Sequence, residues 1–336
     1  MKIVFFETMP GEEEYFRGSA ALPSGSELVF FPDKLGMENL ADAAGAGVVS
    51  VFVKSELDKE LIDALPDLKL IVTRSTGYDH IDWQYAKSKG IPTANVPSYG
   101  AHTVAEFAFG LILTLTRKLY QAHHQLREGT DFTQRSLQGF DLFGKTLGVV
   151  GTGRIGRNVI GIAHGFGMDV LAFDAYPDET FAQTSKFSYV PLEQLLAKSD
   201  IVTVHVPATP ETHHLMGAAQ FAQIKKGALF INTARGDIVD TPALITALRD
   251  GTLAGAGLDV LEGEHAMMSE FELLAGDSKH PVDFRQLAAD HLLIDLPNVI
   301  VTPHIAFNTV EAMHEIMRVT AEAIGNWATG KEQKFL

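Results

Sequence analysis

Three polar side chains between residues 235 and 304 are of the types that anion binding and proton transfer require. Arg235 carries a planar guanidinium, which can hold a carboxylate through two parallel hydrogen bonds. His304 carries an imidazole, the side chain whose charge changes most readily near neutral pH, which suits a proton donor. An acid beside that histidine would stabilise its protonated form, and Glu262 and Glu264 fit this role equally well.

Each of these side chains follows a predicted strand, namely Ala228–Asn232, Ala254–Asp259 or Asn298–Thr302. In open α/β sheets, ligands bind beyond the carboxyl ends of the strands. Taken singly, a surface ion pair, a solvated loop acid and a structural histidine are the simpler interpretations. Their shared position at successive strand ends favours a functional cluster.

The segment Gly151-Thr-Gly153-Arg-Ile-Gly156 has the spacing of a phosphate-binding turn, and it follows the apolar strand Thr146–Val150. The first glycine permits the tight turn, the second lets the backbone approach a pyrophosphate, and the third lets helix and strand pack closely. The helix that follows, predicted to run to about Gly165, offers N–H groups and a partial positive charge to the phosphates. A glycine-rich turn without a ligand is the alternative, which the flanking strand and helix disfavour.

Asp174 ends the next predicted strand, 18 residues after Gly156. Its carboxylate can accept hydrogen bonds from the two ribose hydroxyls of an adenosine. The same charge would repel a 2′-phosphate, so the sequence favours NAD over NADP as the cofactor.

Short apolar runs alternate with helical stretches along the chain, which is typical of parallel sheets covered by helices. Residues 102–128 predict one long helix, because their apolar side chains recur close to helical spacing. Strands precede this helix, and six more follow it, as in a complete doubly wound nucleotide-binding domain. The predicted strands, besides those named above, are Lys2–Phe6, Glu27–Phe31, Gly47–Val53, Lys69–Thr73, Pro92–Asn95, Asp169–Phe173 and Ile201–His205.

Length and composition limit the possible functions. The 336 residues exceed the usual size of a single core, so two domains are expected. The formal net charge of −15 argues against a nucleic-acid or anionic-membrane binder, because either would need a basic face. The chain has no cysteine, which excludes disulfides, thiolate zinc sites and cysteine nucleophiles. The N-terminal residues lack the apolar stretch of a signal peptide, so we expect a cytoplasmic protein.

Two adjacent histidine pairs, His123-His124 and His213-His214, raise metal binding as an alternative. Neighbouring side chains on a helix point to different faces, and the chain has no H-E-x-x-H spacing. Packing or solvated histidines are therefore favoured, and no metal is expected.

Over nearly its whole length the chain resembles the D-isomer-specific 2-hydroxyacid dehydrogenase family, and within it the D-lactate dehydrogenase type. The resemblance rests on the glycine-rich turn, the arginine, acid and histidine segments, and several shorter motifs. The connection from residue 265 to residue 296 is also similar to that type. The matching segments are Gly148–Gly156, Gly165–Asp174, His205–Pro207, Pro210–Thr212, Asn232–Gly236, Gly257–Glu264, Thr302–His304, Gly77–Asp82, Asn95–Pro97 and Val104–Glu106.

The resemblance implies a Rossmann doubly wound parallel-sheet domain that binds NAD over residues 101–300. It also implies a discontinuous, flavodoxin-like α/β substrate domain over residues 1–100 and 301–336, which closes over the ligands as a lid. The implied activity is the reversible, NAD-dependent reduction of a small 2-oxo acid, expected to be pyruvate, to the D-2-hydroxy acid, D-lactate. The family is usually homodimeric, and the helix predicted at residues 102–128 is a candidate contact.

The resemblance assigns catalysis to Arg235, Glu264 and His304, and so favours Glu264 over Glu262. Arg235 would bind the 2-oxo acid, His304 would donate a proton, and Glu264 would stabilise charged His304. The implied cofactor contacts are Gly151, Gly153, Arg154, Ile155, Gly156, Asp174, Val206, Pro207, Thr212, Thr233, Ala234, Arg235 and Asp259. The implied substrate contacts are Ser75, Thr76, Gly77, Arg235, Phe52 and Tyr99, and Phe52 stands where lactate-type members tend to have tyrosine.

Other members of the family remain alternatives. A glyoxylate or hydroxypyruvate reductase is the main one. Formate dehydrogenases pair the histidine with glutamine, so Glu264 argues against them. Phosphoglycerate dehydrogenases often add a C-terminal domain, whereas 32 residues follow His304. Co-repressors that sense NAD(H) keep the same catalytic residues, and only the lack of partner-binding tails weighs against that non-enzymatic function.

Overall fold

Two parallel β-sheets, each in a unit of its own, organise the chain. The computed structural model describes residues 1–129, 132–134, 137–264 and 284–336. The first unit comprises Met1–Tyr99 and Thr309–Leu336, and we call it the split unit. The second comprises Gly100–Asn308, and we call it the central unit. The sequence predicts that the chain leaves the first domain near residue 100 and returns to it near residue 301.

The split unit contains a five-stranded parallel sheet in the order β2-β1-β3-β4-β5, the flavodoxin-like order. Apolar side chains from both faces of the strands form two separate cores, as expected for strands buried on both sides. The last helix of the chain, α12 (Val310–Ala328), completes one of these cores with Met317, Ala321 and Ile324. The strands are β1 (Lys2–Phe5), β2 (Glu27–Phe30), β3 (Val48–Val51), β4 (Leu70–Thr73) and β5 (Thr93–Ala94), and the other helices are α1 (Glu12–Gly18), α2 (Lys59–Asp63) and α3 (Trp83–Ser88) with a 3-10 helix at Met37–Ala43.

The central unit contains a seven-stranded parallel sheet in the order β12-β11-β10-β9-β6-β7-β8. The chain runs outward from β6 in one direction and then returns to build the other half from β9, so the strand order reverses between β6 and β9. In such sheets the crevice at this reversal is the usual ligand site. The strands are β6 (Thr146–Val150), β7 (Asp169–Phe173), β8 (Ser188–Tyr189), β9 (Ile201–Val204), β10 (Ala228–Asn232), β11 (Leu253–Leu258) and β12 (Val299–Val301).

Helices cover both faces of this sheet and enclose two apolar cores. Helix α4 (Ala101–Thr116) is largely buried, and it packs against α6 (Arg154–Gly165) and the sheet. The helices are α4 (Ala101–Thr116), α5 (Leu119–Arg127), α6 (Arg154–Gly165), α7 (Glu179–Ser185), α8 (Leu192–Lys198), α9 (Ala218–Phe221), α10 (Thr241–Arg249) and α11 (Phe284–Asp295), with a 3-10 helix at Gly236–Ile238. Across the described ranges, no helix is both long and apolar enough to cross a membrane.

The predicted fold class is confirmed, and all eleven predicted strands are present with ends that differ by up to two residues. Sequence reasoning missed β8, because its two residues lack an apolar run. The single helix predicted at residues 102–128 is wrong. Lys118 adopts a left-handed conformation (φ 55°), which ends α4 and begins α5 in a new direction. The apolar spacing belongs to buried α4, whereas α5 has no buried residue.

Candidate active site

The glycine-rich turn after β6 has no room for side chains at two of its glycines. Gly151 has φ 96°, and a Cβ there would lie 2.8 Å from the backbone of His205. A Cβ on Gly156 would lie 2.1 Å from the carbonyl oxygen of Gly151. The first turn of α6 therefore packs directly against the end of β6, as a dinucleotide-binding turn requires.

Gly153 marks an open approach to the N-terminus of α6. It is the N-cap residue of this helix of 12 residues, and a Cβ there would meet no described atom within 4 Å. The N–H groups of the first helical turn have no partners within the helix, and the helix dipole favours negative charge at this end. The turn therefore fits a pyrophosphate, with Arg154 and Ile155 as the first residues of the helix.

Asp174 directly follows β7, and its carboxylate is held by the neighbouring turn. Thr152 donates its backbone N–H (2.6 Å) and its hydroxyl (2.8 Å) to Oδ2, and the Tyr176 N–H donates to Oδ1 (2.9 Å). Burial acts to raise the pKa of Asp174, but these hydrogen bonds outweigh it and lower the pKa below the usual value. The carboxylate is thus charged at neutral pH and suits ribose hydroxyls.

The segment after β9 supplies a second wall of the crevice. The Thr212 hydroxyl donates to the carbonyl oxygen of Pro207 (2.6 Å), and this bond closes the loop that follows Val206. Burial lowers the pKa of His205 to about 3, so its imidazole is neutral. Its Nε2 lies 2.9 Å from the Thr203 hydroxyl.

Arg235 lies on a turn that Asn232, the last residue of β10, holds in shape. The Asn232 side chain accepts from the Ala234 N–H (2.9 Å) and donates to the Arg235 carbonyl oxygen (2.8 Å). The hydroxyl of Thr233 is buried and has no hydrogen-bond partner among the described residues, so it can receive a polar ligand group. The residues that precede the half-exposed Arg235 thus present both backbone and side-chain polar groups.

Gly236 brings the Arg235 turn against the turn that follows β11. A Cβ on Gly236 would lie 2.0 Å from the carbonyl oxygen of Leu261, so any larger residue would separate the two turns. The second of these turns carries Glu264. Close backbone packing at Gly236 therefore brings Arg235 near the acid.

His304 and Glu264 form a hydrogen-bonded pair across two strand ends. The distance from His304 Nδ1 to Glu264 Oε1 is 2.8 Å, and the side chains are 23% and 21% exposed. Because Nδ1 engages the carboxylate, Nε2 is the nitrogen that can exchange a proton with a ligand. His304 has φ 53°, a strained conformation for a residue with a side chain, and its N–H donates to the Asp259 carbonyl oxygen (2.8 Å).

The buried carboxylate of Asp259 fixes the turn that carries His304. It accepts hydrogen bonds from the Thr302 hydroxyl (2.5 Å), the Ile305 N–H (3.0 Å) and the Ala306 N–H (2.8 Å). Burial raises the pKa of Asp259 above its usual value, although these bonds act in the opposite direction. The observed contacts of Asp259 are with this turn, and its contact with the cofactor stays a prediction.

Glu262 and Glu264, which sequence alone did not separate, have different partners. Glu262 Oε1 lies 2.5 Å from His214 Nε2, and Oε2 accepts from the Thr241 hydroxyl at 2.9 Å. Glu262 therefore anchors its turn to the start of α10 and to the loop after β9. His214, one of the four histidines considered for metal binding, thus has Glu262 as its partner. Within the described ranges, no three His, Asp or Glu side chains are arranged to hold a metal ion.

The substrate contacts expected in the split unit follow β3, β4 and β5, and so lie at the carboxyl edge of that sheet. Phe52 is buried, and Tyr99 is partly exposed. The Ser75 hydroxyl donates to the Gly77 carbonyl oxygen (2.6 Å), and the Thr76 hydroxyl donates to the Val96 carbonyl oxygen (2.9 Å). These bonds shape the loop and leave its substrate contacts as a prediction.

Sequence reasoning missed four buried charged residues, Glu7, Glu12, Arg74 and Asp290. Glu7 and Arg74 each follow an apolar strand, and this position was the available signal. Asp290 lies within α11, where nothing in the sequence distinguishes it from a solvated acid. Its burial depends on the elements that pack against that helix.

Comparison with known proteins gives a consistent result. Residues 109–306 match the family model of the D-isomer specific 2-hydroxyacid dehydrogenase, NAD binding domain. A D-lactate dehydrogenase of Curvularia clavata is 38% identical over 98% of this chain and 93% of its own length. A crystal structure of the Aquifex aeolicus D-lactate dehydrogenase complexed with NAD and lactic acid has a TM-score of 0.84 and 34% identity, covering 98% of this chain and 96% of that one.

A third relative is the pyruvate reductase of Chlamydomonas reinhardtii, whose structure matches with a TM-score of 0.87 and 30% identity. It covers 99% of this chain and 97% of that chain. The family match and the neighbour solved with NAD confirm the predicted cofactor.

The buried carboxyl group of Asp290 should make the stability of the protein depend on pH. Its Oδ1 accepts from the Gln286 side chain (3.0 Å), whereas Oδ2 has no hydrogen-bond partner among the described residues. Burial, reinforced by the charges of Glu262 and Glu264, raises its pKa to about 6. The folded state therefore binds this proton more tightly than the unfolded state, and stability falls as pH rises from about 4 to about 6.

Asp290→Asn removes this titration. The free energy of unfolding of the variant, relative to the wild type, should therefore increase by on the order of 1 kcal/mol between pH 5 and pH 8. Urea unfolding at both pH values measures this difference. The control is Asp295→Asn, which changes an exposed acid on the same helix. A difference for Asp290→Asn that is the same at both pH values would contradict the prediction.

Proposed function

Because this chain belongs to the D-isomer-specific 2-hydroxyacid dehydrogenases, which are NAD-dependent oxidoreductases, we propose that it reduces pyruvate to D-lactate. The observation that carries the proposal is the Glu264–His304 pair with Arg235 on an adjacent turn, all at the carboxyl ends of neighbouring strands. These strands belong to the same sheet as the dinucleotide-binding turn. The lactate-type and pyruvate-reducing relatives support pyruvate as the first 2-oxo acid to test.

Arg235 and His304 have different roles in the reduction of the 2-oxo acid. NADH, when bound, supplies the hydride for the carbonyl carbon. Arg235 holds the carboxylate and polarises the carbonyl group through its guanidinium. His304 holds a proton at Nε2 and transfers it to the carbonyl oxygen, so that the new O–H bond forms as the N–H bond breaks.

Glu264 prepares His304 for this transfer. Its carboxylate accepts the Nδ1 hydrogen bond, which fixes the ring and stabilises its protonated form. In the reverse direction the neutral histidine takes the hydroxyl proton of the D-2-hydroxy acid. One pair of side chains therefore serves both directions.

Cofactor selection is assigned to the glycine turn and to Asp174. The N-terminus of α6 would hold the pyrophosphate, with Gly153 as the point of closest approach. The charged Asp174 would accept the ribose hydroxyls and repel a 2′-phosphate. Val206, Pro207, Thr212, Thr233 and Ala234 are assigned to the remaining contacts, on the family resemblance and on their position at the crevice.

The side chain and carboxylate of the 2-oxo acid are assigned to the loops of the split unit. Ser75, Thr76 and Gly77 offer backbone N–H groups, and Phe52 offers a buried apolar ring. Tyr99 is the remaining residue of the split unit that is assigned to the substrate. An apolar ring suits a substrate with a small methyl group, such as pyruvate, better than a substrate with a polar or charged side chain.

We also assign a homodimer to this protein, and a cytoplasmic location as predicted from its sequence. Leu119, Tyr120 and Leu126 of α5 are 54%, 54% and 52% exposed. Neighbouring exposed apolar side chains on one helix are typical of a surface that another subunit covers.

The first test is a steady-state comparison with NADH of pyruvate, 2-oxobutyrate, 2-oxoisocaproate, glyoxylate and hydroxypyruvate. Arg235→Ala should lower kcat/KM for the preferred acid by about 100-fold or more, since it removes charged hydrogen bonds worth about 3 kcal/mol together. The Kd for NADH, measured by fluorescence, should change much less.

Arg249→Ala is the matched control, because it removes an exposed arginine at the end of α10. Equal pyruvate turnover by the Arg235→Ala variant would exclude the proposed substrate role. A preference for glyoxylate or hydroxypyruvate would favour the alternative reductase activity.

Glu264→Gln should lower the rate of 2-oxo-acid reduction. Without the carboxylate, the His304 ring loses the charged hydrogen-bond acceptor that holds its Nδ1, so kcat/KM should fall about 10-fold or more. Steady-state kinetics with NADH and the preferred acid measure this change. Glu262→Gln is the matched control, because that acid pairs with His214 instead. An unchanged kcat/KM for Glu264→Gln would count against the assigned role of this acid.

The homodimer can be tested by sedimentation velocity. The molar mass obtained for the wild type should be about twice the chain mass of 36.5 kDa. Leu119→Glu and Leu126→Glu should shift the protein to monomer, because a charge at a covered apolar surface is costly. Leu292→Glu, at another exposed leucine, should leave the dimer intact. A wild-type monomer at micromolar concentration would contradict the assignment.

A further inference from the structure

Three charged side chains lie in the interior of the split unit, where the proposed chemistry does not use them. Glu7, Glu12 and Arg74 are 7%, 2% and 1% exposed. Removing a charged group from water is unfavourable, and only hydrogen bonds and ion pairs of good geometry recover the lost hydration free energy. The contacts of these three residues therefore indicate what they maintain.

The Glu7 carboxylate accepts hydrogen bonds from the loop that follows β3. Oε1 accepts from the Phe52 N–H (3.1 Å), the Ser55 N–H (3.0 Å) and the Ser55 hydroxyl (2.5 Å). Oε2 accepts from the Lys54 N–H (2.7 Å). One side chain therefore satisfies three backbone donors of residues 52–55 and fixes the backbone that carries Phe52.

Arg74 fixes the backbone on the other side of Glu7. Its Nη2 donates to the carbonyl oxygens of Phe6 (2.6 Å) and Glu7 (3.0 Å). Its Nη1 donates to the backbone and hydroxyl oxygens of Ser50 (3.2 and 3.1 Å), and its Nε lies 3.3 Å from Glu12 Oε1. The guanidinium thus ties together the ends of β1 and β3, and the residue itself directly precedes Ser75.

Thr73 links the two loops to each other. Its hydroxyl lies 3.2 Å from the Phe52 carbonyl oxygen and 2.6 Å from the Ser75 hydroxyl. Movement of the residue 52–55 loop would therefore disturb the residue 75–77 loop. Both loops carry residues assigned to the substrate.

Glu7 itself has a strained backbone. Its φ of 57° lies in the left-handed region, which is strained for a residue with a side chain. The bonds at its carboxylate and at its carbonyl oxygen hold this conformation in place. Such strain persists where the surrounding contacts over-determine the backbone, and it is concentrated near functional sites.

We propose that Glu7 is a positioning residue for substrate specificity, which acts by holding the Phe52–Ser55 loop and, through Arg74 and Thr73, the Ser75–Gly77 loop. The inference rests on the proposed function, since it takes these loops as the ones that contact the 2-oxo acid. A purely structural role would not need buried charges, because apolar packing is often at least as stabilising as a buried ion pair. A carboxylate with four fixed donors instead defines one loop geometry.

The test compares KM and kcat for pyruvate, 2-oxobutyrate and 2-oxoisocaproate in the wild type and in Glu7→Gln. The glutamine keeps the size of the side chain, but its NH₂ group must face either the Lys54 N–H or the N–H groups of Phe52 and Ser55, and so opposes a donor to a donor. KM for the preferred acid should rise about 10-fold, and the ratio of kcat/KM values among the three acids should change. The Kd for NADH should stay within about twofold of the wild type, because the cofactor-binding turn lies in the central unit.

Ser55→Ala is the second variant. It removes the hydroxyl bond to Glu7 and the acceptor of the Leu35 N–H, and it leaves the three backbone donors to Glu7 in place. It should change KM and the acid ranking in the same direction by about twofold to threefold, which keeps the test informative if Glu7→Gln does not fold. Asp82→Ala is the matched control. The Asp82 carboxylate caps α3 by accepting the Tyr85 N–H (3.0 Å), so its removal should lower Tm without changing the acid ranking.

A folded Glu7→Gln variant with unchanged KM and unchanged acid ranking would overturn the inference, as would an unchanged ranking in Ser55→Ala when Glu7→Gln does not fold. An Asp82→Ala variant that changes the ranking equally would also overturn it, because general destabilisation would then explain the effect. A wild-type chain that reduces none of the acids overturns the proposed function and this inference with it. An active wild type with an unaltered variant overturns this inference alone.

Discussion

The hydrogen bond between His304 Nδ1 and Glu264 Oε1 joins residues forty positions apart, and the surrounding backbone is built to keep its length at 2.8 Å. Asp259 holds the histidine turn with three hydrogen bonds, and Glu262 holds the acid turn through His214 and Thr241. Gly236 lets the arginine turn pack against the acid turn. Because the proton transfer proposed for His304 depends on geometry, these supporting contacts are part of what the proposal requires.

A formal net charge of −15 and two anionic ligands require attraction that is local. The protein supplies it with groups that carry little or no formal charge. The N-terminus of α6 and the backbone N–H groups of the glycine turn offer partial positive charge where the pyrophosphate would lie. Arg235 adds one full charge where the substrate carboxylate is assigned. The acidic surface opposes broad anion binding, whereas directed donors retain selected anions.

The two units position the loops that are assigned to the ligands by different physical means. In the central unit, close glycine packing and strand register place the residues, with Asp259 and Glu262 as anchors. In the split unit, a buried cluster of Glu7, Glu12 and Arg74 fixes the loops after β3 and β4. Buried charges are costly, but their hydrogen bonds are directional, so they define loop geometry more narrowly than apolar contacts do.

Local pattern in the sequence was enough to predict the parallel α/β architecture, the glycine turn and Asp174, because strand periodicity and turn glycines depend on neighbouring residues. Family resemblance favoured Glu264, and the reason for it is a tertiary one: Glu264 reaches His304, while Glu262 reaches His214. Tertiary structure also decided the break at Lys118 and the burial of Glu7, Arg74 and Asp290. Such features depend on which distant elements pack together, and burial and hydrogen-bond partners are set by that packing rather than by the local order of residues.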